Sequence, residues 1–169
     1  MENEGDIIIR DMDEEDAQRL QEKLRDFGST SALYNSYREE VRSKVSDYII
    51  ALYKGELAGF AKLNWESSYE DFAEKQIPEI KDLWVFKAFR NKGIARLMMS
   101  YLENKAFRKS EVCAVGVGLS EEFEVAQGLF EALGYMPDGK GTFYIDSEII
   151  HDTLEVDDTQ ALMMIKKIS

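Results

Sequence analysis

Apolar residues change their spacing several times along the chain, and each change marks an element. Ile7 to Arg10 is a short apolar run of strand type that follows a polar leader. Asp11 and Asp13 then offer helix caps, and Ala17, Leu20, Leu24 and Phe27 recur at helical spacing, giving one face that packs on a sheet. A second, weaker helix is expected from Ser31 to Ser43. Tyr48 to Tyr53 is apolar and β-branched, Lys54-Gly55 supplies a turn, and Leu57 to Trp65 places Leu, Gly, Ala, Leu and Trp at alternate positions, which reads as a hairpin. The acidic segment Glu66 to Glu74 reads as a loop or short irregular helix, and Ile77 to Phe86 as a long strand.

From Gly93 to Phe107 the apolar residues Ile94, Leu97, Met98, Tyr101 and Leu102 describe a helix with one buried face. Val112 to Val117 is apolar almost throughout, the pattern of a central strand covered on both sides. A helix from Glu121 to Leu133 turns Phe123, Ala126, Phe130 and Leu133 inward, and Gly134 can end it. Asp138-Gly139 and Gly141 signal turns, with strands expected near Thr142 to Ile145 and Ala161 to Ile168. This order predicts an α+β fold: a sheet of about seven strands with helices on both faces.

Composition narrows the function. At 169 residues and 44% hydrophobic, the chain is expected to form a single domain around one core, residues 1–5 remaining flexible. The formal charge of -12, from 21 basic and 33 acidic residues, opposes nucleic acid and anionic membrane as partners. It suits a cationic acceptor such as an amine, although the same charge also serves solubility alone. Cys113 has no partner for an intramolecular disulfide, no Cys/His cluster has zinc spacing, and no metal is expected. Met1 to Asp6 carries three acidic residues and no apolar run, so it does not read as a signal peptide; with no bilayer-length apolar stretch, a cytoplasmic location is expected.

The segment with the most specific chemistry is Leu83-Trp84-Val85-Phe86-Lys87-Ala88-Phe89-Arg90-Asn91-Lys92-Gly93-Ile94-Ala95, a strand that runs through a basic turn into an amphipathic helix. The start of such a helix presents unpaired N–H groups and the positive end of its dipole, which suits a phosphate. Gly93 lets the backbone approach a ligand with no Cβ in the way. No acidic residue occurs from Leu83 to Leu102, whereas Lys87, Arg90, Lys92 and Arg96 are basic. By residue type alone, a tight turn with a solvated helix start stays open beside the phosphate reading.

Arg90-Asn91-Lys92-Gly93-Ile94-Ala95 resembles the R/Q-x-x-G-x-G/A loop of the GNAT family of N-acetyltransferases, preceded by a strand ending in Leu83-Trp84-Val85. Ala126-Gln127-Gly128-Leu129-Phe130-Glu131-Ala132-Leu133-Gly134-Tyr135 resembles that family's second segment, and the likeness covers residues 6–168. It implies an α/β/α sandwich with a mixed, mostly antiparallel sheet whose fourth and fifth strands diverge around acetyl-CoA as co-substrate. It also implies a homodimer as one assembly. On this likeness Leu83, Trp84 and Val85 hold pantetheine through their backbone, with the Val85 N–H as oxyanion donor. Arg90, Asn91, Lys92, Gly93, Ile94 and Ala95 hold the pyrophosphate, and Ala126 and Phe130 wall the pantetheine.

Glu79, six residues before Val85, matches the spacing of the catalytic Glu in histone-type members, and equal parity assigns it to the face of Leu83 and Val85. It reads as general base, or else as a strand carboxylate that is exposed or paired with Lys81 or a more distant base. The family's usual Tyr acid falls at Phe130 and its usual Asn at Phe123, so a hydroxyl of Ser120 or Tyr135, or water, takes the acid role; Tyr135 reads equally as a packing aromatic. Trp65, Trp84 and the loop Glu66, Glu70, Asp71 and Glu74 border the expected acceptor side, or form a solvated loop with core tryptophans. His151 reads as incidental surface. The reaction implied is direct acetyl transfer to an amine of a small molecule or peptide in a ternary complex. The two Phe residues leave a second reading open, a catalytically degenerate CoA-binding sensor or interaction module.

Overall fold

Side-chain alternation sorts the strands onto two faces, and each face gathers its own apolar cluster. The structure, a computed structural model, describes residues 2–26, 37–44, 46–67, 69–118, 124–144 and 160–168. Its elements are β1 (Glu2–Glu4), β2 (Ile7–Asp11), α1 (Glu14–Asp26), α2 (Tyr37–Ser43), β3 (Ser46–Tyr53), β4 (Glu56–Asn64), α3 (Glu70–Glu74) and β5 (Glu79–Val85). A 3-10 turn (Lys87–Phe89) leads to α4 (Ile94–Ala106), followed by β6 (Val112–Gly118), α5 (Glu124–Ala132), β7 (Met136–Tyr144) and β8 (Gln160–Lys167). The strands form one sheet in the order β1-β2-β3-β4-β5-β6-β8-β7. Only β5 and β6 run parallel; the other neighbours are antiparallel.

One face carries Ile9, Ile49, Ala61, Leu63, Ile80, Val115 and Met164, packed against Ile94, Met98, Met99 and Leu102 of α4 and Phe130 of α5. The opposite face carries Ile50, Leu52, Phe60 and Trp84 against Ala17, Leu20 and Leu24 of α1, with a further cluster of Tyr69, Phe72, Ile77, Ala114 and Met163. The α/β/α layering expected from the sequence is therefore present. Among the described residues no helix is long and apolar enough to cross a membrane.

Two elements differ from the sequence reading. The polar leader pairs as β1, with Glu2 opposite Ile9, so the sheet has eight strands. Strand β7 begins at Met136 rather than near Thr142, because the Asp138-Gly139 signal lies within a register shift between Pro137 and Thr142. Phe27, Ser31 to Ser36, Ser120, Phe123 and His151 lie outside the described residues.

Glycine is required on β4 for space. A Cβ at Gly59 would meet the Trp84 carbonyl oxygen at 2.6 Å, so β4 and β5 approach there more closely than any side chain permits. Gly59→Ala is expected to destabilise the fold by about 1–3 kcal/mol, read as a lower urea midpoint with an unchanged slope.

Candidate functional site

Strand β5 pairs with β4 along most of its length but with β6 only at Glu79↔Ala114 and Ile80↔Val115. Beyond Ile80 the β6-side edge of β5 has no ladder partner among the described residues, although Lys81 to Val85 are all half-buried. The orientation of that edge follows from alternation. The Phe86 N–H donates to the Ala58 carbonyl at 2.8 Å and Trp84 lies opposite Phe60, so the Leu83 and Val85 N–H groups point away from β4 and into the gap. These are the peptide groups a pantetheine arm needs, since a buried or ligand-facing N–H must find an acceptor.

The strand then leads into the loop. Asn91 and Gly93 have positive φ (65° and 82°), so the loop bends through left-handed backbone at two positions before α4 starts. Gly93 is the N-cap of α4, and no side chain caps that helix. The first turn contains no acid, and the Ile94, Ala95 and Arg96 N–H groups precede the first intrahelical bond, Leu97 N–H to the Gly93 carbonyl at 3.2 Å. Space around Gly93 is open: a Cβ there meets nothing within 4 Å, so its φ, and not crowding inside the fold, is what calls for glycine. Ile94 is fully buried beneath this start and fixes it to the core, while Asn91, Lys92 and Gly93 are exposed.

Arg90 does more than line the loop. Its Nε donates to the Val85 carbonyl at 2.9 Å and its guanidinium lies 4.7 Å from the Trp84 ring, so strand end and loop are tied together. Lys92 lies 4.8 Å over the Tyr53 ring. On the other side Lys23 of α1 donates to the Leu57 carbonyl at 2.8 Å and sits 4.4 Å from the Phe86 ring, and burial pushes its pKa down. The set fits a CoA-type group: unpaired strand amides, an uncapped helix start and cations with no acid among them.

The parity argument for Glu79 fails. Between Phe60 and Lys62 of β4 the register slips, so that Asp82 and Leu83 stand against the single residue Ala61, and Asp82 has φ 57°. This bulge inserts one residue, and the faces exchange. Ile80, Leu83 and Val85 face α4, whereas Glu79 faces the opposite side, with Ser67 and the Met163 cluster. Nor is Glu79 exposed. It is 2% accessible, accepts a hydrogen bond from the Ser67 hydroxyl, and its Oε2 lies 3.6 Å from where a Cβ on Gly116 would stand. Burial pushes its carboxyl pKa up, and the Ser67 hydrogen bond and the Lys81 and Lys62 charges only partly offset that.

Tyr135 is placed toward the closed end of this gap and is held there by partners of its own. Its ring packs with Phe130 in the α4-facing cluster, and its hydroxyl donates to Glu103 of α4 at 3.2 Å and lies 3.5 Å from Cys113 Sγ. Glu103 is also paired with Lys166 at 2.8 Å. Cys113 precedes Ala114, the partner of Glu79, so this network sits at the closed end of the β5–β6 gap. Burial pushes the Tyr135 hydroxyl pKa far up and the Cys113 thiol up to about 12. Ala126 and Phe130 of α5 do border the same core as Leu83 and Val85. Trp65 is separated from Glu79: it faces α4, donates to Asp47 at 2.8 Å and carries Lys109 at 4.7 Å from its ring. The residues that sequence reasoning missed are Ser67, Lys62 and Asp82; the run Glu79-Ile80-Lys81-Asp82 gives no glycine to announce a bulge.

The pattern of the acetyltransferase (GNAT) family matches residues 10–135. An uncharacterized N-acetyltransferase of Chlorobaculum tepidum is 25% identical over 133 residues, 78% of this chain and 76% of that protein. Among solved structures, a ribosomal-protein-alanine N-acetyltransferase from Brucella melitensis superposes with a TM-score of 0.67 at 19% identity, over 95% of this chain and 99% of that one. A putative acetyltransferase from Salmonella typhimurium, solved with its cofactor acetyl-CoA, has a TM-score of 0.68 at 18% identity, over 98% and 95% of the two chains. With strand edge, loop and helix start arranged as they are, and with most of its length matched, the chain belongs to the acetyltransferase (GNAT) family and is an acetyl-CoA-dependent acyltransferase.

Proposed function

We propose that the chain transfers acetyl from acetyl-CoA to an amine of a small molecule or peptide, by direct attack with both substrates bound. The observation that carries this reading is the continuity of a β5 edge that has no ladder to β6 beyond Ile80, among the described residues, with an uncapped, acid-free helix start. Acetyl-CoA supplies a thioester carbonyl open to an amine and a thiolate as leaving group. The Ile94, Ala95 and Arg96 amides bind the pyrophosphate, with Lys92 and Arg90 beside them. Gly93 and Asn91 hold the loop in shape. Leu83, Trp84 and Val85 pair with pantetheine through their backbone, and Ala126 and Phe130 form its far wall.

Oxyanion stabilisation and proton removal must act on one centre, and strand geometry constrains both. Six residues of extended strand span about 20 Å, so Val85 lies too far along β5 to share a centre with Glu79. The Leu83 N–H, at the bulge and aimed into the gap, is the nearer donor, about 13 Å along the strand, a distance that the acceptor and bridging water would span. Glu79 accepts the amine proton through water, because its carboxylate is covered by Ser67. The carboxylate must be ionised to do so. With its pKa raised, kcat/KM is expected to fall as pH drops through a value above the ordinary carboxylate range.

No protein acid is required for the thiolate. A thiol of pKa about 8.5 leaves without full protonation, and water then supplies the proton. Tyr135, pinned to Glu103, serves to fasten α4 to β6 and not to reach the sulphur. The chain's charge of -12, with Glu66, Glu70 and Glu74 exposed after β4, supports a cationic amine as acceptor.

Acetyl-CoA at 100 times its Kd is expected to stabilise the protein by about 2.7 kcal/mol, a rise of several degrees in Tm; Gly93→Glu should abolish it, and an unchanged Tm in the parent would refute the reading. With an amine panel, thiol release should fall by about 100-fold in Glu79→Gln at unchanged acetyl-CoA binding. Binding without release from any acceptor would point instead to a non-catalytic CoA-binding module. Tyr135→Phe should keep turnover within about twofold while losing about 1 kcal/mol in urea denaturation.

A further inference from the structure

Lys62 and Asp82 form an ion pair inside the sheet, Nζ to Oδ2 3.7 Å, with side chains only 11% and 5% exposed. Their position is unusual for charged groups, which are rarely buried without a reason beyond stability. Asp82 is the bulged residue itself, at φ 57°, and Lys62 is the β4 residue where the slipped register resumes, opposite Lys81. The pair therefore spans the bulge. It also lies in a polar strip on that face: Lys62 and Asn64 on β4, Glu79, Lys81 and Asp82 on β5, and Ser67 beyond β4, between the apolar Phe60–Trp84 and Met163–Phe72 clusters.

We propose that Lys62 and Asp82 are positioning residues for acetyl transfer: their buried ion pair holds the β5 bulge, and so fixes the Glu79 carboxylate and the Leu83 amide relative to each other. This rests on Glu79 as the base. In an unbulged strand of the same sequence, alternation would put Glu79 on one face with Leu83 and Val85, and with Glu79 held in place the Leu83 and Val85 amides would turn to β4 and not to the gap. The pair acts on Glu79 through charge as well. The charged groups facing that carboxylate are Asp82, Lys62 and Lys81 from β4 and β5; Ser67 adds a hydroxyl, and β6 and β8 present Gly116 and Met163, which carry none. Removing the anion should make Glu79 easier to ionise, and removing the cation should make it harder.

The test uses Asp82→Gly, Asp82→Asn and Lys62→Met with acetyl-CoA and an accepted amine. Glycine tolerates positive φ, so Asp82→Gly should fold while losing the ion pair that holds the bulge in place. Its kcat should fall by about tenfold with KM for acetyl-CoA held within about threefold, and the acidic limb of kcat/KM should move to lower pH. Asp82→Asn should move the limb the same way, and Lys62→Met should move it to higher pH. Opposite displacements are not produced by general loosening of the fold. A limb in the parent position in both Asp82 variants, with kcat undiminished, overturns the inference even if Lys62→Met fails to fold. Glu79→Gln separates the two claims: if it retains kcat and the acidic limb, the base assignment fails; if it loses both while Asp82→Gly behaves as the parent, only the positioning pair fails.

Discussion

A strand in the middle of a sheet normally has partners on both edges, because an unsatisfied buried peptide group is costly. Strand β5 breaks this rule. It is laddered to β4 on both sides of its bulge and joined to β6 at only two residue pairs, and then the neighbours part. The rest of the architecture can be read as support for this edge, which has no strand laddered to it beyond Ile80 among the described residues. Gly59 lets β4 come close enough to carry β5 unaided, α4 closes one face from β2 to β6, and Arg90 holds the end of the strand to the loop.

The second consequence of the parted strands is directional. An extended ligand lying along β5 leaves the strand at Val85 and meets the start of α4 within a few residues. On the binding mode proposed above, peptide-like groups would be met by strand amides and the anionic end by helix amides, with the left-handed residues Asn91 and Gly93 shaping the loop between them. Cations alone would give attraction without register; the amides supply register.

Much of this was legible in the residues. The spacing of Ile94, Met98 and Leu102 gave α4 to within a residue at each end, and the absence of acids after Leu83 marked the loop. The layered sheet followed from the order of elements. What escaped was local: period-two counting assumes a regular strand, and Asp82 adopts left-handed backbone with no glycine to signal it, so every parity assigned across it reversed. Burial escaped also. Nothing in the string shows that Ser67 would cover Glu79, or that the Tyr135 hydroxyl would turn inward to a carboxylate on α4, because both depend on contacts between residues distant in sequence.

The acid-free stretch from Leu83 to Leu102 has an implication for how a ligand arrives. Beyond the Debye length of about 8 Å at physiological ionic strength, an incoming polyanion senses little of the surface; inside it, most of this electronegative molecule repels. The loop is where that repulsion gives way. If the donor binds as proposed above, the encounters that persist would begin with the diphosphate at the helix. The flexible arm, which carries almost no charge, would then thread inward behind it, and docking would proceed from the distal end of the donor toward the reacting carbon.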